Sequence, residues 1–338
     1  MKKTIILSTI FILLLKTTNC LSQDPFYSQY FMSPMTLNPA LIGKGISDMR
    51  FLALKKTQWW GQSTAAFSNT SISFEKKINS IKNTEDDLGI AIAMSNEASN
   101  GGLLKKTYGS LGAAYNKKIN KFSSIGVGLI FTYANTLLDP SKFEFQSQFG
   151  SFGFNRMMPS NDPVQIINRS YLDVNGGIRY SYVKNNWGLN LGAAIYHAAK
   201  PKEGAFNNSN YYIKPRTSLQ ASIFKKIKEA DEFNVSFNAD LQGNSNVYSL
   251  GALYKLQIPG NHIFEKISTG VWARFNDAIY PYFGLESKQW SLGFTYDIIT
   301  SDLKTYSNSV QSMEISFGWQ FSSKKKNKPL SHVRMVEL

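Results

Sequence analysis

One cysteine, three histidines and no apolar run long enough to cross a bilayer as a helix are the scarcities that bound this 338-residue chain. A single cysteine, Cys20, cannot build a disulfide framework to staple a small fold. His197, His262 and His332 lie far apart, and none has a second His, Cys or carboxylate pair at a ligand spacing, so they read as solvated loop histidines and no metal site is expected. A membrane helix needs about 18 apolar residues; the run Thr4–Leu15 stops short and no later stretch approaches that length. Acids are scarce too, 23 against 37 basic residues, for a formal charge of +14. Basic chains can bind nucleic acid when the charge is clustered, but here Lys and Arg are scattered apart from Lys324–Lys328. No nucleic-acid partner is expected.

The first residues supply the compartment. Lys2 and Lys3 precede the apolar run, and Cys20 and Ser22 occupy the small positions before Gln23, the order of a secretory signal peptide cut after Ser22. A lipoprotein signal at Cys20 is the rival, with Asn19 standing where a small residue is wanted and Thr17 where an aliphatic one is. Loss of residues 1–22 removes three lysines, no acid and the only cysteine, leaving a formal charge of +11.

What the chain has in quantity is alternation. Leu172, Val174, Ile178, Tyr180 and Tyr182 interleave with Asp173, Asn175, Gly177, Arg179 and Ser181, the period of two of a strand with one apolar and one polar face. Phe233, Val235, Phe237, Ala239 and Leu241 repeat it, as do Trp290, Leu292, Phe294, Tyr296 and Ile298. About fourteen such runs are expected, near 48–57, 66–76, 88–95, 106–117, 124–134, 170–183, 187–197, 216–226, 232–243, 246–257, 267–276, 279–286, 289–298 and 311–321. In the first two, Lys55, Lys56 and Ser68–Ser71 interrupt the pattern. Many runs have the roughly ten residues of a tilted transmembrane strand, and their number is even. The fold class expected is all-β: a closed antiparallel transmembrane β-barrel of outer-membrane type, preceded by an irregular N-terminal segment. The divisions are a signal peptide (1–22), the irregular segment (23–47), the barrel (48–321) and a basic C-terminal tail (322–338). A soluble β-sandwich is the rival, but it has no need to sustain one apolar face along so many strands.

The links agree. In a barrel with periplasmic termini the odd links face outward and include the long ones; the fifth, about Asn135–Arg169, is the longest and the seventh, about Ala198–Pro215, is next. The even links include the tight Lys184-Asn185-Asn186. Trp187, Tyr182, Tyr196, Tyr248, Trp290 and Trp319 lie near strand ends, where interfacial aromatic girdles sit. Met313, Ile315, Phe317, Trp319 and Phe321 form a closing strand, and the lysines beyond it read as a solvated tail.

Inward positions are mostly small or polar, with charges at Asp173, Arg179, Asp240, Lys255, Arg274 and Asp297, as a hydrated or polypeptide-filled lumen tolerates. No nucleophile triad, carboxylate pair or phosphate-cradling loop stands out; Gly101-Gly102 reads as a turn. No enzyme, cofactor or catalytic residue is expected. The segment QDPFYSQYFMSPMTLNPALIG, Gln23–Gly43, forbids a continuous helix through Pro25, Pro34 and Pro39. Its Phe26, Tyr27, Tyr30 and Phe31 need covering. Either it folds into the periplasmic mouth of the barrel or it docks on a partner protein.

That segment resembles the start of mature PorP/SprF proteins, outer-membrane components of the type IX secretion and gliding apparatus of Bacteroidota, at Gln23, Asp24, Pro25, Ser28, Gln29, Pro34, Asn38, Pro39, Ala40 and Gly43. Gln58-Trp59, Asp277-Ala278 with Pro281, Tyr296-Asp297 with Thr300-Ser301, and Glu314-Ile315-Ser316 continue the likeness along the chain. Ser33 and Met35 replace the expected Asn and Leu, and the tail after Phe321 is long for the family. The resemblance implies a non-enzymatic barrel that helps surface adhesins or enzymes to be secreted and retained. It also implies partners among type IX secretion components, secreted surface proteins and peptidoglycan-associated periplasmic proteins, with outer-membrane lipid around the barrel and gliding motility as its setting. Gln23, Asp24, Pro25, Phe26, Tyr27, Gln29, Tyr30, Phe31, Asn38 and Pro39 are the candidate partner-binding residues. A passive porin or small-molecule transporter is the alternative function.

Overall fold

A computed structural model describes residues 24, 26–45, 48–59, 66–79, 86–160, 167–203, 212–227, 231–260, 263–302 and 311–321. Gln23, Pro25, His262, His332, the leader 1–22 and the tail 322–338 lie outside the described residues. The strands are β1 (Met49–Gln58), β2 (Phe67–Asn79), β3 (Asp87–Ser99), β4 (Leu104–Lys118), β5 (Ser123–Leu138), β6 (Phe149–Gly150), β7 (Gly153–Phe154) and β8 (Ile167–Lys184). They continue with β9 (Trp187–Tyr196), β10 (Arg216–Lys226), β11 (Glu232–Gln242), β12 (Ser245–Gln257), β13 (Lys266–Arg274), β14 (Ala278–Glu286), β15 (Trp290–Ile299) and β16 (Ser312–Phe321). The short β6 and β7 pair with each other inside the longest link. The other fourteen close into one antiparallel barrel through β1 and β16, in register from Met49 opposite Phe321 to Gln58 opposite Ser312.

Alternation makes these strands, and the barrel turns its apolar side outward. In β5, Val127, Leu129, Phe131 and Tyr133 are exposed, while Gly128, Ile130, Thr132 and Ala134 between them are buried. Leu172 is 75% exposed and Asp173 beside it 3%. A belt of large apolar side chains all round a closed sheet is stable only against lipid, and closure leaves no strand edge with unpaired backbone groups. Where Lys55 and Lys56 interrupt the pattern, β1 also sends Leu52 and Leu54 inward, because apolar side chains await them in the lumen. Of the aromatics expected in girdles, Trp187 and Tyr248 are exposed. Tyr196 is a correction: it is buried in the lumen, since its neighbour Ile195 takes the outward position.

The two ends of the barrel differ. One carries the three longest links, 139–166, 197–215 and 300–311; the other carries shorter ones, including the two-residue turn Asn185-Asn186, where Asn185 adopts a positive φ of 53°. Met49 and Phe321 lie at the short-link end.

The irregular segment does not stop at a mouth. It runs the length of the lumen, from Asp24 at the long-link end to Gly43 beside Glu75 and Gly89 near the short-link end. Its prolines break it into single turns: Tyr30–Met32, Pro34–Leu37, which opens on proline, and Pro39–Leu41, where the Asn38 side chain accepts the Ala40 amide. Its apolar side chains Tyr27, Tyr30, Phe31, Met32 and Leu37 form the main core with Leu52, Leu54, Leu253, Trp272, Tyr280 and Tyr282 of the wall. Asp24 therefore stands at the opposite end of the barrel from Met49 and Phe321.

Candidate functional site

The densest contact between segment and wall is at Ser28 and Gln29. These two successive amides, buried in a turn, would be left unpaired in an apolar lumen, and both donate to one carboxylate, Glu314, whose oxygens they reach at 2.5 and 2.8 Å. The Ser28 hydroxyl donates to both oxygens of Asp297, at 2.8 and 2.9 Å. The Gln29 side chain accepts from Ser316 Oγ at 2.6 Å and donates to the Glu314 carbonyl at 3.1 Å. Lys56 lies 3.1 Å from Glu314 and Arg274 lies 2.8 Å from Asp297, so both buried carboxylates are neutralised. Lys56 also donates to the Phe26 carbonyl, and the Phe26 ring lies between the Lys56 ammonium, 4.5 Å away, and the Arg274 guanidinium, 4.4 Å away.

Further along, the segment presses its backbone against the wall. Asn38 Nδ2 donates to the Ile178 carbonyl and to Gln220 Oε1, each at 3.0 Å, and Gln220 Nε2 donates to the Leu37 carbonyl at 3.1 Å. The approach is possible because β5 and β8 offer glycines there. A Cβ on Gly128 would meet Pro39, and one on Gly177 would meet Asn38, closer than the 3.0 Å that real Cβ atoms keep. Tyr196, turned inward, donates to the Met35 carbonyl at 3.0 Å. At the far end the Gly43 amide donates to Glu75, which is itself paired with Arg50 at 2.9 Å. The aromatic part is held by Tyr30, 2.9 Å from Ser236 Oγ, and by Phe31, whose ring sits 5.3 Å from Trp272 and from Tyr282. Burial pushes the Tyr30 phenol up to about 12, with the Ser236 and Trp272 hydrogen bonds opposing it.

The outer end is fixed electrostatically. Asp24 reaches His197 Nε2 at 2.8 Å and Arg216 Nε at 3.1 Å, while Arg216 also bonds Asp240 at 2.9 Å and His197 Nδ1 lies 2.8 Å from Asp173. Burial acts to lower the His197 pKa, but hydrogen bonds to Asp173 and Asp24 and their charges overcome it and raise the imidazole to about 9. Burial likewise acts to raise Asp24, and His197 and Arg216 hold it well below the usual carboxylate range. His197 is thus a buried cation between two carboxylates, which corrects its assignment as a solvated loop histidine.

The residues singled out in the sequence come together in part. Asp24, Phe26, Tyr27, Gln29, Tyr30, Phe31, Asn38 and Pro39 lie inside the chain's own barrel, covered by its wall. Each of the six inward charges has a wall partner: Asp173 has His197, Asp240 has Arg216, Arg274 has Asp297, Lys255 has Glu286 at 2.9 Å, and Arg179 donates to Asn116 at 2.7 Å and to Ser181. Lys56, Glu75, Arg216, Gln220 and Glu314 hold the segment and were not among the candidates. Among the described residues no group of His, Cys, Asp and Glu is arranged to hold a metal ion.

The chain matches the family described as "Type IX secretion system membrane protein PorP/SprF" over residues 19–319. No curated protein matches it. Among solved structures it is similar to the Ralstonia pickettii toluene transporter TbuX, with 10% identity, 86% of this chain and 93% of that one covered, and a TM-score of 0.46. A Pseudomonas aeruginosa FadL homologue is similar at 10% identity, covering 84% and 93%, with a TM-score of 0.48. The Pseudomonas putida toluene transporter TodX is similar at 8% identity, covering 85% and 93%, with a TM-score of 0.49.

Proposed function

Because the chain belongs to the PorP/SprF family of type IX secretion system membrane proteins, an outer-membrane barrel family, we propose that it works as a non-enzymatic adaptor rather than as a pore. The observation that carries this is the occupied lumen: the segment Asp24–Gly43 runs through it, tied to the wall by buried charge pairs and backbone hydrogen bonds. An ordered polypeptide there removes the path a porin needs. The long links 139–166 and 197–215 face the cell exterior and receive secreted surface proteins, aiding their export or retention. The short-link end faces the periplasm and engages the secretion machinery, including peptidoglycan-associated proteins. On this orientation Asp24 lies at the exterior and Met49 and Phe321 at the periplasmic side.

Two measurements test it. In a planar bilayer the intact protein is expected to show no steady conductance, and a chain lacking residues 23–43 to conduct. In cells, the same deletion is expected to abolish secretion or attachment of surface proteins while the barrel remains in the outer membrane. Steady conductance by the intact protein, or normal secretion by the deletion, overturns the proposal.

A further inference from the structure

A cavity of about 110 Å³ opens beside the outer half of the segment, between it and β2–β9. Met35, Ala93 and Ile130 line its apolar part, and Tyr27, Tyr108 and Tyr171 present aromatic rings to it. Three carboxylates line it, Asp24, Glu97 and Asp173, against two cations, His197 and Arg216, and Arg216 is shared with Asp240 behind. The pairs already described leave an excess of negative charge, in a protein whose overall balance is strongly basic. Asp173 is only 3% exposed; one carboxylate oxygen faces His197, and the other, Oδ1, is buried with no hydrogen-bond partner. Glu97, half-buried, bonds Tyr108 through its carboxyl group but leaves Oε1 buried without a hydrogen-bond partner. A buried carboxylate oxygen without a partner carries an uncompensated desolvation cost, which a bound cation or donor removes. Lys106, whose charge also acts on Glu97, is itself engaged by Glu203 at 2.7 Å.

We propose that this cavity is a binding site for a compact organic ammonium ion with a short apolar body, entering from the long-link end. The apolar body lies on Met35 and Ile130, and the ammonium donates to Asp173 Oδ1 and Glu97 Oε1 within reach of the tyrosine faces, a combination of charge, donors and aromatic surface that suits an amine. A neutral alcohol of the same length lacks the charge, and a carboxylate meets repulsion. The inference is independent of the secretion role.

The test uses the full mature protein in lipid nanodiscs, titrated calorimetrically with n-butylammonium, n-butanol and butyrate. Saturable binding of n-butylammonium alone is expected, weakened at least tenfold by Asp173→Asn. Glu97→Gln touches no residue that holds the segment in place, and is expected to weaken binding without changing the heat-dependent gel mobility of the barrel. Three results overturn the proposal: no saturable binding of the ammonium, equal binding of n-butanol, or unchanged affinity in a folded Glu97→Gln variant.

Discussion

Lys56 and Glu314 stand opposite each other in register across the seam between β1 and β16, 3.1 Å apart and both buried, and Glu314 also receives the amides of Ser28 and Gln29. One carboxylate thus joins the two strands that close the barrel and anchors the segment inside it. Neutralising it leaves Lys56 buried without its counter-charge, a loss of about 3–5 kcal/mol by the behaviour of other buried pairs. Glu314→Gln is expected to lower the urea midpoint in lipid vesicles accordingly. Glu314→Gln combined with Lys56→Met is expected to recover part of that loss, because the unpaired charge is gone; a double variant as unstable as the sum of the singles would show that the two residues are not coupled.

Gly177 and Gly176 are neighbours on β8 with opposite outlooks. A side chain at Gly177 meets Asn38 and Pro39 below van der Waals distance, whereas one at Gly176 meets Leu129 at an ordinary 3.5 Å. Overpacking of this kind costs about 1–3 kcal/mol, or displaces what it strikes. Gly177→Val is therefore expected to loosen the segment and give ion conductance in planar bilayers, and Gly176→Val to leave the barrel silent.

The outer tether depends on pH through His197. Its pKa rises from 6.5 to about 9 on folding, so its stabilisation is full below the unfolded value and lost as the pH climbs through the folded one. Asp24 has the opposite sign: its pKa is depressed, so its contribution is present above the ordinary carboxylate value of 3.8 and lost in acid. Denaturant stability is expected to fall between about pH 6.5 and 9 in the natural protein, and His197→Asn to flatten that slope. A slope unchanged by the substitution would assign the titration elsewhere.

Asp24 at the long-link end gives a test of sidedness. With that end outside the cell, Ser151→Cys, exposed in the link 139–166, is expected to react with a membrane-impermeant maleimide on intact cells, and Asn185→Cys, in a short turn, only after the outer membrane is broken. The reverse pattern would invert the orientation.

The barrel was legible because lipid imposes one rule on every strand. Alternation from Leu172 to Tyr182 or from Trp290 to Ile298 is local, and it located the barrel strands and the long fifth and seventh links. What the segment touches was not legible, since Ser28 meets Glu314 and Asp24 meets Arg216 across most of the chain's length. One signal did exist: Gly126, Gly128, Gly177 and Gly192 all occupy lumen-side positions on β5, β8 and β9, as a wall must where another backbone lies against it. His197 misled because a histidine just past a strand looks solvated until its two acidic neighbours are seen together. Tyr196 misled because girdles and lumen both take tyrosine at a strand end.

A cord that enters one rim of a ring and leaves by the other cannot be slipped in sideways once the ring is shut. The stretch from Asp24 to Gly43 is such a cord, joined to the barrel at the Gly43 rim, so it either lies in place when the first and last strands zip together, with Glu314 gripping both, or threads in afterwards end-on. Later withdrawal has only one open route, end-on past Gly177 and Gly128 towards the rim where Gly43 sits.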